Sequence, residues 1–285
     1  MTDPWIIAAI LSKALLYLGI LGAAGSVFAA RLIGPDLGAY RRVALVFAIL
    51  GIFASWAVFA LRGVTLTGDA TGASDPEILN LLLQTPAGNT LLLQIVGLGL
   101  LIGGLVLSDG KTWLSIIGGF LALWSFAQVG HIARIDDIVM SGLLVLHLAA
   151  ISFWIGVLIP LRRLTQIPSE IWRAGNVAHR FGLICLLSLP ALLAAGGYMA
   201  YVLVGSVEAL LSTDYGRGLI VKLVFVFGLL VIAAVNKLRF VPILMKGYGQ
   251  GANALAKTIR FEWVLFYAVM IATAALTTVL TPPAI

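Results

Sequence analysis

The chain has 285 residues, of which 61% are hydrophobic and only 11% are charged, and its mean hydropathy is +1.08. Soluble domains carry about 25% charged residues, so this composition excludes an ordinary soluble protein and predicts an integral membrane protein. The net charge of +6 does not require a nucleic-acid partner, because the basic residues lie in short segments between apolar stretches, where the positive-inside rule expects them.

Apolar stretches of about 20 residues predict membrane-spanning helices, because a helix of that length crosses the hydrocarbon core of a bilayer. We therefore predict an all-α fold, a polytopic transmembrane bundle of eight helices that forms a single domain over residues 1–285. The eight predicted spans are about 5–30, 43–62, 90–108, 112–131, 139–160, 181–204, 218–236 and 261–281. The first span has no basic segment ahead of it and no cleavage site after it, so we expect it to be retained.

Small residues and proline predict local features of these spans. The first span carries Gly19, Gly22 and Gly25, a stripe of small residues typical of close helix packing. In the loop after the second span, Pro76 opens a short predicted interfacial helix. Ser206 is a predicted N-cap of another short helix.

The distribution of lysine and arginine predicts the orientation of the bundle. Thirteen of these residues lie on the side reached after spans one, three, five and seven, whereas only Arg62, Arg134 and Arg217 lie on the opposite side. The positive-inside rule places the basic side in the cytoplasm. We therefore expect a bacterial inner-membrane protein with both termini in the periplasm.

The segment 130–160 contains the strongest candidates for a functional site. It holds His131 and His147, two of the three histidines of the chain. An ionisable side chain inside a membrane span is costly and marks a functional site by default. Met140, His147 and Trp154 are spaced seven residues apart on one helix face, with His147 about 10 Å further in than Met140.

Imidazole nitrogen and thioether sulfur together suit copper. We therefore predict a copper site formed by His131, His147, Met140 and Met199 in the periplasmic half of the bundle. Each residue also has an ordinary interpretation, since membrane histidines form interhelical hydrogen bonds and methionines fill gaps between helices. For Trp154, packing is the favoured interpretation.

Other residues near this segment have secondary roles in the prediction. Asp136 and Asp137, in the loop before the fifth span, are available to attract cations or to receive a proton. His179 is predicted on the cytoplasmic side and outside the site. Cys185 is the only cysteine, which excludes a disulfide framework, and we interpret it as a packing residue.

Other kinds of chemistry have little support in the sequence. It contains no phosphate-binding loop, no His-Glu-x-x-His run and no nucleophile elbow. Intramembrane carboxylates are nearly absent, since Glu262 is predicted at the start of the eighth span, and a proton-relay pump is expected to carry more of them. We expect a transporter or metal-handling protein rather than an enzyme.

Several motifs resemble the bacterial copper resistance protein D family, inner-membrane proteins of the CopD/PcoD type. They are Gly130-His131, HLAAISFWIG from His147 to Gly156, Arg180-Phe181-Gly182, TDYGRGLIVKL from Thr213 to Leu223, and Asn236 with Arg239 and Pro242. The likeness runs from about residue 120 to the C-terminus, and the first 110 residues match only in hydropathy.

The resemblance implies an eight-span protein that takes part in copper uptake, homeostasis or resistance. It also implies movement of copper from periplasm to cytoplasm, with a periplasmic copper-binding protein of the CopC type as a frequent partner. It supports His131 and His147 as copper-site residues and gives less support to Met140 and Met199.

Two other functions stay open at this point. A membrane redox protein would use His131 and His147 to ligate a haem, or to hold copper that only changes oxidation state. The two histidines are predicted to differ in depth by about two turns, which argues against a haem between them. An assembly factor for a copper enzyme would need only a shallow site and a docking surface.

Overall fold

The computed structural model describes residues 4–34, 40–107, 113–131, 133, 135 and 137–284. In chain order the helices are α1 (Pro4–Ile33), α2 (Tyr40–Thr67), α3 (Pro76–Leu83), α4 (Pro86–Leu107), α5 (Trp113–Trp124), α6 (Ile138–Thr165), α7 (Ile171–Val204), α8 (Val207–Ser212), α9 (Asp214–Val235), α10 (Val241–Met245) and α11 (Gly249–Thr278). Short 3-10 turns cover Ala70–Ala73, Ser125–Ala127 and Pro168–Glu170. A π-helix, Asn236–Phe240, joins α9 to α10.

The predicted fold class is confirmed, because the described residues form a polytopic helical bundle that contains no strand. Seven helical segments are long and apolar enough to cross a membrane. The predicted fourth span, 112–131, corresponds to α5, which has 12 residues and is prolonged by the turn Ser125–Ala127. The number of eight spans and the periplasmic position of the termini stay predictions.

Two helices begin well before the apolar stretches that predicted them. α7 begins at Ile171 rather than near residue 181, and α11 begins at Gly249 rather than near residue 261. The additional turns carry polar and basic residues such as Arg173 and Lys257. Hydropathy detects the lipid-compatible part of a helix, whereas the backbone hydrogen bonds continue into the polar segment.

Local signals in the connecting segments predicted short helices correctly. α3 begins at Pro76, and the Asp75 side chain caps it by accepting from the Glu77 N–H at 2.9 Å. Ser206 caps α8, since its hydroxyl accepts from the Ala209 N–H at 3.0 Å. These caps satisfy backbone donors that a helix start otherwise leaves free.

α1 is the central helix of the bundle. It packs against α2, α5, α6 and α11, and its residues from Leu16 to Ala29 are buried without interruption. In α1 and in α6, 44% of the most apolar 18-residue stretch of the helix is buried. In the spans of α7 and α9, the buried share of the corresponding stretch is only 11%. α7 and α9 therefore lie at the periphery, where their apolar side chains are available to lipid.

The glycine stripe of α1 permits its close approach to α2 and α6, as predicted. Gly25 crosses Gly156 of α6, where a Cβ on Gly156 would overlap the backbone of Gly25. A Cβ on Gly25 would in turn overlap the carbonyl group of Ser152. Because no side chain separates the two backbones, this crossing sets the position of α6, the helix that carries most of the candidate site.

We expect Gly156→Ala to destabilise the protein by about 1–3 kcal/mol, because the added methyl group has no space between α1 and α6. Gly142→Ala on the same helix is the matched control, since a Cβ there meets nothing within 4 Å. The measurement is thermal unfolding of both variants in detergent. Equal unfolding midpoints for the two variants would contradict the close crossing.

Candidate functional site

His147 lies on α6 and faces α7. Its ring Nδ1–H donates to the backbone carbonyl of Leu192 at 3.3 Å. Gly196, one turn further along α7, makes room for the ring, because a Cβ there would lie 3.0 Å from the ring carbon Cε1. Since Nδ1 carries the hydrogen in this bond, Nε2 keeps a lone pair with which to bind a metal.

Lys222 of α9 lies within electrostatic range of His147. A positive charge on Lys222 would oppose a cation at the imidazole. Binding of a metal ion at His147 must therefore rest on bonds to soft and nitrogen ligands rather than on attraction between charges.

His131 follows the turn Ser125–Ala127 and reaches across to α9 and α11. Its Nε2–H donates to the backbone carbonyl of Leu276 at 3.1 Å, and its ring packs edge-on against Tyr215 with ring centroids 5.7 Å apart. Nδ1 is buried and has no hydrogen-bond partner among the described residues. A buried nitrogen with an unused lone pair is unfavourable unless a ligand occupies it.

Both histidines thus have the arrangement that metal-binding histidines usually show. One ring nitrogen donates to a backbone carbonyl, which fixes the tautomer and the ring orientation, and the other nitrogen carries a lone pair. Carbonyl groups hold the rings of His131 and His147 from different helices, α11 and α7. The chemistry of each ring fits a metal ligand.

Met140 and Met199 pack together between α6 and α7. Met140 is 1% exposed and Met199 is 7% exposed, and the two form one apolar cluster. Met199 follows Gly196 by three residues, and Met140 precedes His147 by seven. The methionine pair and His147 therefore lie along the same α6–α7 interface, with the pair nearer the start of α6.

The four predicted copper residues share one end of the bundle but do not converge on one point. Met140 contacts Met199, and His147 lies about two turns further along α6. Leu203 of α7 borders both the methionine pair and the apolar cluster beside His131. Within the described part of the chain, no three His, Cys, Asp or Glu side chains are grouped as a metal site.

The sequence predicts the two loop aspartates near the site and His179 outside it. Asp137 is the N-cap of α6 and accepts from the Val139 N–H at 2.8 Å, and Asp136 lies outside the described residues. His179 is exposed on α7, and its position outside the site stays a prediction.

Sequence reasoning missed a buried polar network further along α6. The Glu262 carboxylate is 2% exposed and accepts from the indole N–H of Trp154 at 3.0 Å and from the side-chain amide of Asn236 at 2.6 Å. The hydroxyl of Thr258 donates to the side-chain amide oxygen of Asn236 at 2.7 Å. The expectation that Glu262 starts a helix is wrong, because α11 begins at Gly249 and buries this residue in its interior.

Trp154 has two roles in this network. Its ring packs edge-on against Phe181 and Phe266, with centroid distances of 6.3 and 5.7 Å, which confirms the packing interpretation. Its indole N–H also supplies one of the two hydrogen bonds to Glu262. The polar residue Asn236, which interrupts an apolar stretch, was the available sequence signal for such a network.

Two family comparisons match most of the chain. Residues 175–276 match the family described as Copper resistance protein D. Residues 1–139 match the family described as Copper resistance protein D-like, N-terminal domain. The second match corrects the expectation that the first 110 residues share only hydropathy with this family.

Two relatives have similar sequences. Copper transport protein CutJ of Bacillus subtilis is 28% identical over 184 residues, which cover 62% of this chain and 32% of CutJ. Inner membrane protein YebZ of Escherichia coli is 26% identical over 238 residues, which cover 81% of each chain. The match therefore spans about a third of CutJ. No solved structure matches the chain significantly.

We expect Trp154→Phe to destabilise the protein by about 1–3 kcal/mol, because it leaves a buried carboxylate oxygen without its donor while keeping an aromatic ring in place. The measurement is thermal unfolding in detergent. Trp263→Phe is the matched control, since Trp263 packs against Phe47 and Tyr267 without an indole hydrogen bond to any residue that the structure describes. A larger loss of thermal stability in Trp263→Phe than in Trp154→Phe would contradict the importance of the hydrogen bond to Glu262.

Proposed function

The chain belongs to the copper resistance protein D family, and on this premise we propose that it is an inner-membrane protein that binds copper for uptake, homeostasis or resistance. The names of CutJ, a copper transport protein, and of YebZ, an inner membrane protein, support this function and location. The observation that carries the proposal is the buried Nδ1 of His131, a metal-type ligand atom without a partner among the described residues.

The proposed copper site lies in the periplasmic half of the bundle. Met140 and Met199 offer two thioether groups, which select Cu(I), and His131 and His147 offer imidazole nitrogens, which accept either oxidation state. Methionine side chains turn easily about three bonds, so the two sulfur atoms can adjust to a bound ion. Copper is received at the methionine pair and passed along the α6–α7 interface to His147.

Transport requires that each site bind copper firmly enough to capture it and weakly enough to release it. Sites of two or three ligands spread along one interface suit this requirement better than a single closed cage. A periplasmic copper-binding protein of the CopC type is the proposed donor. In the predicted orientation, with both termini in the periplasm, the start of α6 is on the donor side.

We expect purified protein to bind about one equivalent of copper or more, and His131→Ala and His147→Ala each to lower this content. Met140→Leu and Met199→Leu keep the side-chain volume but remove sulfur, so we expect them to weaken Cu(I) more than Cu(II). The measurement is metal content after copper loading, with an absorption spectrum of each sample.

His179→Ala is the control, because His179 is exposed and is predicted to lie outside the proposed site. Folded protein that binds no copper would contradict the proposal. A haem absorption band lost in both His131→Ala and His147→Ala would instead establish the alternative, a membrane redox protein that uses the same histidines.

Adjacent glycines on α7 allow a second test that leaves every ligand atom in place. Gly196→Ala adds a methyl group 3.0 Å from the His147 ring, whereas Gly197→Ala meets nothing within 4 Å. We expect Gly196→Ala to displace the imidazole and weaken copper binding by about tenfold, roughly 1.4 kcal/mol. We expect Gly197→Ala to bind as the wild type does. Competition titration with a Cu(I) chelator measures both, and equal affinities would remove His147 from the site.

A further inference from the structure

Glu262 is a carboxyl group enclosed within the bundle and not used by the proposed copper site. Its two oxygens accept hydrogen bonds from Trp154 of α6 and Asn236 of the π-helix, at 3.0 and 2.6 Å. Both donors are neutral N–H groups. Two ion pairs of the described residues, Arg173–Glu170 and Arg217–Asp214, lie in other segments.

Two features of this environment have opposite effects on the charged form of Glu262. Burial without a cation in hydrogen-bond contact penalises the charged carboxylate. The two N–H donors stabilise that same charged form. Because these effects oppose each other, gain and loss of a proton are both accessible without disrupting the surrounding packing. An Arg or Lys in contact with the carboxylate would instead hold it permanently charged.

We propose that Glu262, held between Trp154 and Asn236, is an intramembrane proton-binding site that exchanges its proton with the predicted cytoplasmic side. The carboxylate takes up one proton on an oxygen and releases the same proton, and no other bond forms or breaks. Carboxylate and amide oxygens are poor partners for Cu(I), so a proton fits this network better than the transported metal.

The groups around Glu262 define the exchange route. Cys185 of α7 lies within electrostatic range of both Glu262 and Lys237, and Lys237 extends along α7 so that its Nζ would lie 3.1 Å from a Cβ on Gly182. On α11 itself, Arg260 is exposed. On α6, the next titratable group is His147, seven residues from Trp154. The proposed proton path runs between α7 and the π-helix, past Cys185 to Lys237.

The π-helix gives this site a means of opening. Asn236 begins the five-residue π segment, and the N–H of Val241 bonds back to the carbonyl of Asn236. Single π turns are rare and occur frequently at functional sites. Conversion of this turn to α-helical geometry would rotate Asn236 by about 100° and withdraw its amide from Glu262. The carboxylate would then keep only the Trp154 bond, which favours its protonated form.

Coupling of this proton to copper rests on the proposed function. Trp154 and His147 lie on the same helix, about 10 Å apart along its axis, so occupancy of one site affects the other through α6. Exchange of one Cu(I) for one proton leaves the charge of the bundle unchanged. An electroneutral exchange avoids the cost of adding charge to the membrane interior.

Infrared difference spectroscopy of copper-free protein in lipid tests the proton site directly. We expect the C=O stretching band of a protonated carboxyl group to grow as the pH is lowered. The band should be absent in Glu262→Gln and shifted in Trp154→Phe, which removes one hydrogen bond. Glu208→Gln, an exposed carboxylate on α8, should retain the band. A wild-type spectrum in which no band depends on Glu262 would overturn the proposal.

Vesicles that contain the protein and a pH-sensitive dye test the coupling. We expect Cu(I) added outside to drive proton movement in the wild type, and Glu262→Gln to lose this movement while it still binds copper. Unchanged proton movement in Glu262→Gln would overturn the coupling. Failure of the wild type to take up copper would contradict the proposed transport, and the infrared band would still report the proton site independently.

Discussion

The crossing of Gly25 and Gly156 sets the distance between α1 and α6, and the remaining helices are arranged around this pair. α6 holds Met140, His147 and Trp154 at intervals of seven residues, so one rigid helix spaces the proposed copper residues and the Glu262 network. Helix association in lipid depends on close van der Waals contact rather than on a hydrophobic driving force. The geometry of both sites therefore depends on Gly25 and Gly156, which have no side chains where α1 crosses α6.

Backbone carbonyls orient both histidine rings, and such neutral partners suit the interior of a membrane. Carbonyl oxygens carry no net charge, so they fix an imidazole without adding a buried ion. Leu192 belongs to α7 and Leu276 to α11, and each carbonyl is part of a helix that must form in any case. In the proposed copper site, affinity would then depend on how α7 and α11 lie against α6 and the segment around His131. The same dependence makes both rings sensitive to small shifts of these helices.

The sequence predicted the fold class and most spans because apolar length is a direct consequence of bilayer thickness. It also grouped Met140 and Met199 in one half of the bundle, and the structure shows them in contact. It failed at Glu262, because hydropathy could not reveal that α11 begins 13 residues earlier, at Gly249. The direction of the His131 ring was likewise unpredictable, since a turn with no regular period carries that residue.

One family match ends at residue 139 and the other begins at residue 175, and all of α6 after its first two residues lies between them. The helix that carries His147 and Trp154 thus connects the two matched segments. The second matched segment contributes Met199, Asn236 and Glu262, and the first contributes the glycine stripe of α1. Both sites consequently depend on how two separately recognisable segments are joined. In a protein divided at the turn after α6, occupancy of the proposed copper site would report the correct assembly of its halves.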